Sequence, residues 1–369
     1  MTPLASIMGS GFLVSAPLLA GVVGNLALLC MAALLLLAYA VGGAIRFNIR
    51  HLEPIEREHG RVQTVAFLSR VVLVGAYFVS ISYYLQLLAA FLLDSLSVES
   101  TLAPPLVTSA LLIAICGIGI WRGLEKLGGI ERYAVSLNLG MIAALLVGLV
   151  VYNLGLVRQG AWTLPAISSD VGLHDLRVLL GLLIVVQGFE TSRYLGDQYP
   201  AEQRIATMRT AQALSAVIYL VFIALATVLF HDGLGSDVTA IISMTRPVAL
   251  VLPFLLAIAA IGSQFSAAVA DDMGAGGLIE DITNRKLPIR HAYVLVLFVT
   301  LFLTWETNVN VIIAYASRAF ALYYFLQCGV AFLVAWDLKA PGRRSLRLAG
   351  FASLAVACLL VFVFGLPSE

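Results

Sequence analysis

Ile7-Met8-Gly9-Ser10-Gly11-Phe12 and Gln187-Gly188-Phe189-Glu190-Thr191 decide how this chain folds, because each sets glycine and polar residues into the middle of a long apolar run. A run long enough to cross about 30 Å of hydrocarbon is ordinarily one unbroken helix, since lipid offers no partner to a released peptide group. Glycine destabilises a helix interior by about 1 kcal/mol relative to alanine. Two glycine-interrupted spans at equivalent places in two halves of a chain are the best sequence pointer to a transporter's solute site. An interruption frees carbonyls that suit an ammonium group or a cation, and the half-helix beginning beyond it carries partial positive charge that suits a carboxylate. The pair therefore describes a pocket for a zwitterion. Gly9 and Gly11 also fit close packing between helices; the polar, acidic second interruption is what favours the pocket.

Composition points the same way. Of 369 residues, 61% are hydrophobic and 12% charged, where a soluble domain carries about 45 to 50% and about 25%. So little charge cannot cover a wet surface, whereas helices facing lipid need none. The formal net charge of +1 gives no bias toward nucleic acid. Cys30, Cys116, Cys328 and Cys358 each lie in an apolar run without CxxC or Cys/His spacing, which makes them small core residues rather than a disulfide framework or a zinc site. The first run lacks a basic leader and flows almost directly into a second, so it reads as a span and not as a cleaved signal peptide.

Membrane-length runs begin near Leu4, Asn25, Ala66, Pro104, Tyr133, Leu176, Ala211, Pro247, His291, Asn308 and Leu346, eleven in all. Alternate connections are basic: Arg46, Arg50, Arg57 and Arg61; Arg122, Lys126 and Arg132; Arg193, Arg204 and Arg209; Arg285, Lys286 and Arg290; Lys339, Arg343, Arg344 and Arg347. The positive-inside rule then puts the N-terminus in the cytoplasm and the C-terminus outside, in an integral protein of a prokaryotic inner membrane. Span starts repeat at an offset of about 180 residues, Ala66 to Pro247 and Pro104 to His291 among them. Five spans per unit invert the second unit, the architecture of a rocking secondary transporter. The units are 1–155 (helices 1–5) and 156–336 (helices 6–10), with 337–369 forming a cytoplasmic loop and an extra helix 11.

The motifs resemble a known group. Residues 7–12 followed by Ala16-Pro17 look like the first-helix motif of the amino acid, polyamine and organocation (APC) transporter superfamily. Gly188-Phe189-Glu190-Thr191 followed by Asp197 and Pro200 looks like its sixth-helix motif, and Arg122-Gly123 and Lys286-Leu287-Pro288 extend the likeness over almost the whole chain. The resemblance implies an all-α membrane protein of the leucine-transporter (LeuT) type, two five-helix inverted repeats with discontinuous helices 1 and 6. It implies secondary active transport of an amino acid or related small amine by alternating access, coupled to H+ or Na+ or run as an exchange, with no other cofactor. Carried over by position, the amides of Ser10 and Gly11, next to Gly9, hold the solute carboxylate, and the carbonyls of Ile184 and Gln187, next to Gly188, hold its amino group. Phe189 lines or gates the pocket. Proton-coupled relatives often carry a lysine in span 5, where this chain has Asn138; sodium-coupled ones use span 8 hydroxyls, where it has Ser263 and Ser266. Only eight residues precede Gly9, fewer than the family's usual inner half of helix 1.

Ionisable residues at depth cost about 2.5 to 3.5 kcal/mol each on insertion scales, so each is a functional candidate. Glu190 lies on the order of 20 Å into its span; it is either a proton-coupling carboxylate or an acceptor for amides freed at the interruption. Arg318, roughly 15 Å into its span, calls for a partner such as Glu190 or Asp271. Asp271 and Asp272 point about 100° apart on one helix, so interface solvation is expected for one and a proton or cation relay for the other. Tyr83, in the polar run around Ser80 to Gln86, is a candidate for the pocket wall.

Rival functions have less to stand on. There is no HExxH and no GxSxG with a partnering histidine, so the chain is read as a non-enzyme. A metal transporter of this architecture places an acid in the first interruption, where this chain has only Ser10.

Overall fold

Every long apolar run of the sequence forms helix. The computed structural model describes residues 2–55, 58–124, 128–167, 171–196, 199–231, 234, 237–338 and 344–368. Among them the helices are α1 (Thr2–Ser10), α2 (Phe12–Val23), α3 (Ala27–His51), α4 (Arg61–Ser95), α5 (Ala103–Arg122), α6 (Gly128–Arg158) and α7 (Leu173–Leu180). There follow α8 (Ala201–Ala226), a short α9 (Ile241–Met244), α10 (Leu252–Ile282), α11 (Ile289–Glu306), α12 (Val309–Asp337) and α13 (Arg344–Phe364). Nine described stretches are long and apolar enough to cross a membrane, the first of them, Phe12–His51, spanning both α2 and α3.

Local chemistry places the ends. Prolines occupy the first turns of α5 and α10, where a missing N–H costs nothing, and Pro200 and Pro288 stand just before α8 and α11. The Asn308 side chain accepts from the Val311 amide and caps α12. Between α2 and α3 the turn Gly24–Leu26 begins with Gly24 at φ +53, a conformation most side chains resist, and α3 comes back beside α2.

Two of the passes are not single helices. α1 and α2 together make the first, and α7 with the 3₁₀ segments Leu183–Val186 and Phe189–Leu195 makes the sixth, so eleven passes result. At the centre α4 packs against α10 and α12; α3 packs on α8, α11 on α5, and α13 on α12. The outer faces are apolar, with Leu36 70%, Phe298 70% and Leu250 93% exposed, which water would penalise and lipid does not. Ion pairs sit where α3, α10 and α12 end and α4 and α8 begin: Arg50–Glu202 at 2.8 Å, Arg61–Asp337 at 3.3 Å and Arg70–Asp281 at 2.8 Å. They are exposed and each contributes about 1 kcal/mol at most. Cys116, Cys328 and Cys358 are buried and Cys30 half-buried, in keeping with packing roles.

Candidate functional site

Gly11 is the entire interruption of the first pass. Its φ of −166 is extended backbone open to any residue, so glycine is required by contact: a Cβ there would stand 2.7 Å from the Val185 Cα. The sixth pass is undone over more residues. α7 stops at Gly181, Gln187 is extended, and Gly188 takes φ +111, in the left-handed region. A Cβ on Gly188 would also lie 2.8 Å from the Ser6 carbonyl carbon and 2.9 Å from the Ile7 nitrogen, so conformation and contact both demand glycine. The passes therefore interlock at two points, with α1 along Phe189–Leu195 and α2 along α7.

The peptide groups released by these interruptions are met by side chains from five other helices, as a medium without water requires. Ser317 of α12 donates to the Gly181 carbonyl at 2.6 Å and accepts from the Ile184 amide at 2.9 Å. The Tyr219 hydroxyl of α8 faces the carbonyls of both Val185 and Ile7. Gln264 of α10 donates to the Gly9 carbonyl at 3.1 Å, and Asn138 of α6 to the Met8 carbonyl at 3.4 Å. Gln187 donates to the Tyr84 hydroxyl of α4 at 2.8 Å. Glu190 Oε2 accepts from the Gly188 amide at 3.1 Å and the Tyr324 hydroxyl at 2.8 Å, while Phe189 stacks on the Tyr324 ring at 5.3 Å. Glu190 thus takes the place of a helix-capping acid at the start of the second 3₁₀ segment.

The structure brings Gly9, Gly11, Ile184, Gln187, Gly188, Phe189, Glu190 and Asn138 together around the crossing of the two passes. The Ile184 carbonyl already accepts from the Gln187 amide at 3.3 Å. Ser10 closes α1, and its side chain lies outside what is described. Ser263 is buried and donates to Ala260 in its own helix at 3.1 Å; Ser266 is buried too. Asp197 lies outside the described residues.

Three expectations are corrected. Arg318 pairs with neither Glu190 nor Asp271: its Nε donates to the Phe362 carbonyl at 2.7 Å, at the end of α13, where last-turn carbonyls have no helical donor. Tyr83 is fully buried against Tyr84, and it is Tyr84 that meets Gln187. Neither Asp271 nor Asp272 is an exposed interface residue: Asp271 is half-buried beside the Ser80 hydroxyl, and Asp272 is fully buried with the Cys116 thiol 3.6 Å from its Oδ2. Sequence reasoning missed Tyr84, Tyr219, Gln264, Ser317 and Tyr324. Their signal is a lone hydroxyl or amide in an apolar span, which many packing positions share.

At the end of the sixth pass away from α7, Arg204 grips Glu53 with both terminal nitrogens, at 2.9 and 2.6 Å, and reaches the carbonyls of Ser192 and Arg193. Arg193 donates to Gln327, which Asn48 and Ser69 also contact.

Comparison with known proteins places this geometry. A family profile described as APC superfamily transporter matches residues 1–365. An uncharacterized protein of Aquifex aeolicus (strain VF5) is 41% identical over 377 residues, taking in 100% of this chain and 90% of that relative. The crystal structure of a mutant manganese transporter of Eremococcus coleocola superposes with a TM-score of 0.63 at 12% identity, covering 97% of this chain and 84% of the other. At that identity the likeness speaks for the fold, a LeuT-type arrangement of inverted repeats with discontinuous passes 1 and 6. The chain belongs to the APC superfamily and is a membrane transporter.

Proposed function

We propose that this transporter carries an amino acid or a related small amine by alternating access between the repeats 1–155 and 156–336, in a prokaryotic inner membrane with α1 beginning in the cytoplasm. Transport is ion-coupled or an exchange. The observation that carries the reading is the interlock of the two interrupted passes, Gly11 on Val185 and Gly188 on Ser6 and Ile7. With no room for a Cβ at either point, the conformation is closed around the crossing. In it, the amides of Asn138 and Gln264 occupy the Met8 and Gly9 carbonyls that a solute's ammonium group would take. Separation of the passes exposes those carbonyls together with the amides of Ser10 and Gly11, a dipolar cradle matched to a zwitterion. The carboxylate at the crossing, Glu190, is committed to Gly188 and Tyr324, which argues against its serving as a ligand for a divalent metal.

A thermal-shift screen of the purified protein against amino acids, polyamines and divalent metals, with and without sodium, tests this. A ligand at about 100 times its Kd adds about 2.7 kcal/mol of stability. Stabilisation by an α-amino acid supports the reading. A response confined to a divalent cation such as Mn2+, the solute in the name of the structural neighbour, replaces it.

A further inference from the structure

Three carboxyl groups, Glu190, Asp271 and Asp272, lie in the membrane core without a cation. Glu190 and Asp271 are within electrostatic reach of one another, and Tyr77 and Tyr84 of α4 face both. Ser80 links Asp271 to the same helix by a short hydrogen bond. Asp272, next in sequence, turns to α5, where its Oδ2 meets the Cys116 thiol, and its Oδ1 has no hydrogen-bond partner although the residue is fully buried.

The neighbouring elements supply no positive charge. From α12 the only group on Glu190 is the Tyr324 phenol, and from α11 the Tyr293 ring covers Gly276, one turn beyond Asp272. α6 offers the neutral Asn138. The basic groups nearby are otherwise engaged: Arg70 with Asp281, ten residues or about 15 Å further along α10, Arg193 with Gln327, and Arg318 with Phe362. An ionised carboxylate with no counter-charge is far too costly in such surroundings, and a proton is the smallest group that removes the charge. The orphaned Asp272 Oδ1 is a vacant position for one.

We propose that Glu190, Asp271 and Asp272 form a proton path from the interruption of the sixth pass toward the side of the membrane where α5 and α10 end. This rests on the transport reading above and names H+ as its coupling ion. Direction follows from depth: Asp272 lies ten residues before the end of α10, and Cys116 six before the end of α5. Each step breaks one carboxyl O–H bond as another forms on the next carboxylate, with the Ser80 hydroxyl as a relay beside Asp271. Opening of the passes detaches Glu190 from Tyr324 or Gly188 and so ties its proton to solute movement.

Infrared spectroscopy of the reconstituted full chain tests the path without any solute. Wild type shows carboxylic C=O bands at neutral pH. Asp272→Asn removes one band and Asp271→Asn another. Ser80→Ala shifts the Asp271 band alone and Cys116→Ala the Asp272 band alone, which keeps the test decisive where an Asn variant fails to fold. Absence of carboxylic bands at neutral pH overturns the proposal, as does a band abolished by NaCl at constant pH, which would make the site a sodium site. If the bands behave as stated while no amino acid stabilises the protein, the solute assignment fails and the proton path stands.

Discussion

Glu53, in the turn after α3, and Arg204, in the first turns of α8, form a two-pronged ion pair, its bonds 2.9 and 2.6 Å, with the arginine side chain only 5% exposed and the glutamate 22%. Arg204 also holds the Ser192 and Arg193 carbonyls, so the pair fastens one end of the sixth pass to the turn after the second. Removing one member leaves a buried charge unpaired, a loss of about 3 kcal/mol or more. Glu53→Gln should lower the unfolding midpoint in detergent, and Glu53→Gln with Arg204→Met should recover part of that loss. A double-mutant cycle on melting temperatures measures the coupling.

Gly11→Val is expected to keep the protein monodisperse and membrane-inserted while reducing uptake at least about tenfold, equivalent to about 1.4 kcal/mol. The added side chain meets Val185 backbone, so the variant favours conformations in which the two passes stay apart. Uptake into proteoliposomes, read beside size-exclusion chromatography, decides it; undiminished uptake would mean that the crossing is not where solute binds.

Gly188→Ala should be worse for folding than Gly11→Ala. Both meet backbone atoms, but only residue 188 holds φ +111, adding about 1 kcal/mol of strain for an L-residue. Melting temperatures of the two alanine variants should rank in that order.

Ser317→Ala leaves the Gly181 carbonyl and Ile184 amide without their shared partner, and a buried orphan costs about 1 to 3 kcal/mol. Ser317→Thr retains the hydroxyl and should recover part of the stability. The sixth pass would otherwise fray where α7 ends, and hydrogen exchange at Ile184 reports that opening directly.

Glu190→Gln keeps an acceptor for Gly188 and Tyr324, whereas Glu190→Ala removes it. A capping role alone therefore predicts a folded Gln variant, a destabilised Ala variant and unchanged pH dependence of uptake. Loss of pH dependence in the Gln variant identifies the carboxyl as part of the coupling machinery.

The interruptions were legible because Gly11 and Gly188 stand in runs that otherwise demand continuous helix, and a glycine or an acid there has no cheap alternative use. Span ends were less legible: α8 begins at Ala201, ten residues before its apolar run, because Glu202, Arg204 and Arg209 occupy its first turns at the water side. The partners of the interruptions could not be read at all. Tyr219 and Val185 are 34 residues apart, Gln264 and Gly9 255 apart, and no periodicity links them. Arg318 misled because an arginine at depth suggests an acid, while the open carbonyls of another helix's last turn serve it as well.

One bond pattern bears on how the molecule can move. The Arg177 guanidinium donates to the Phe364 carbonyl at 3.3 Å, and the Leu366 amide donates back to the Arg177 carbonyl at 3.0 Å. α7 and the tail of α13 are thereby buckled to each other. Any tilt of that half of the sixth pass must either undo the buckle or tow the eleventh pass with it, so the last helix travels as a passenger of the gate unless those two bonds are spent as the latch.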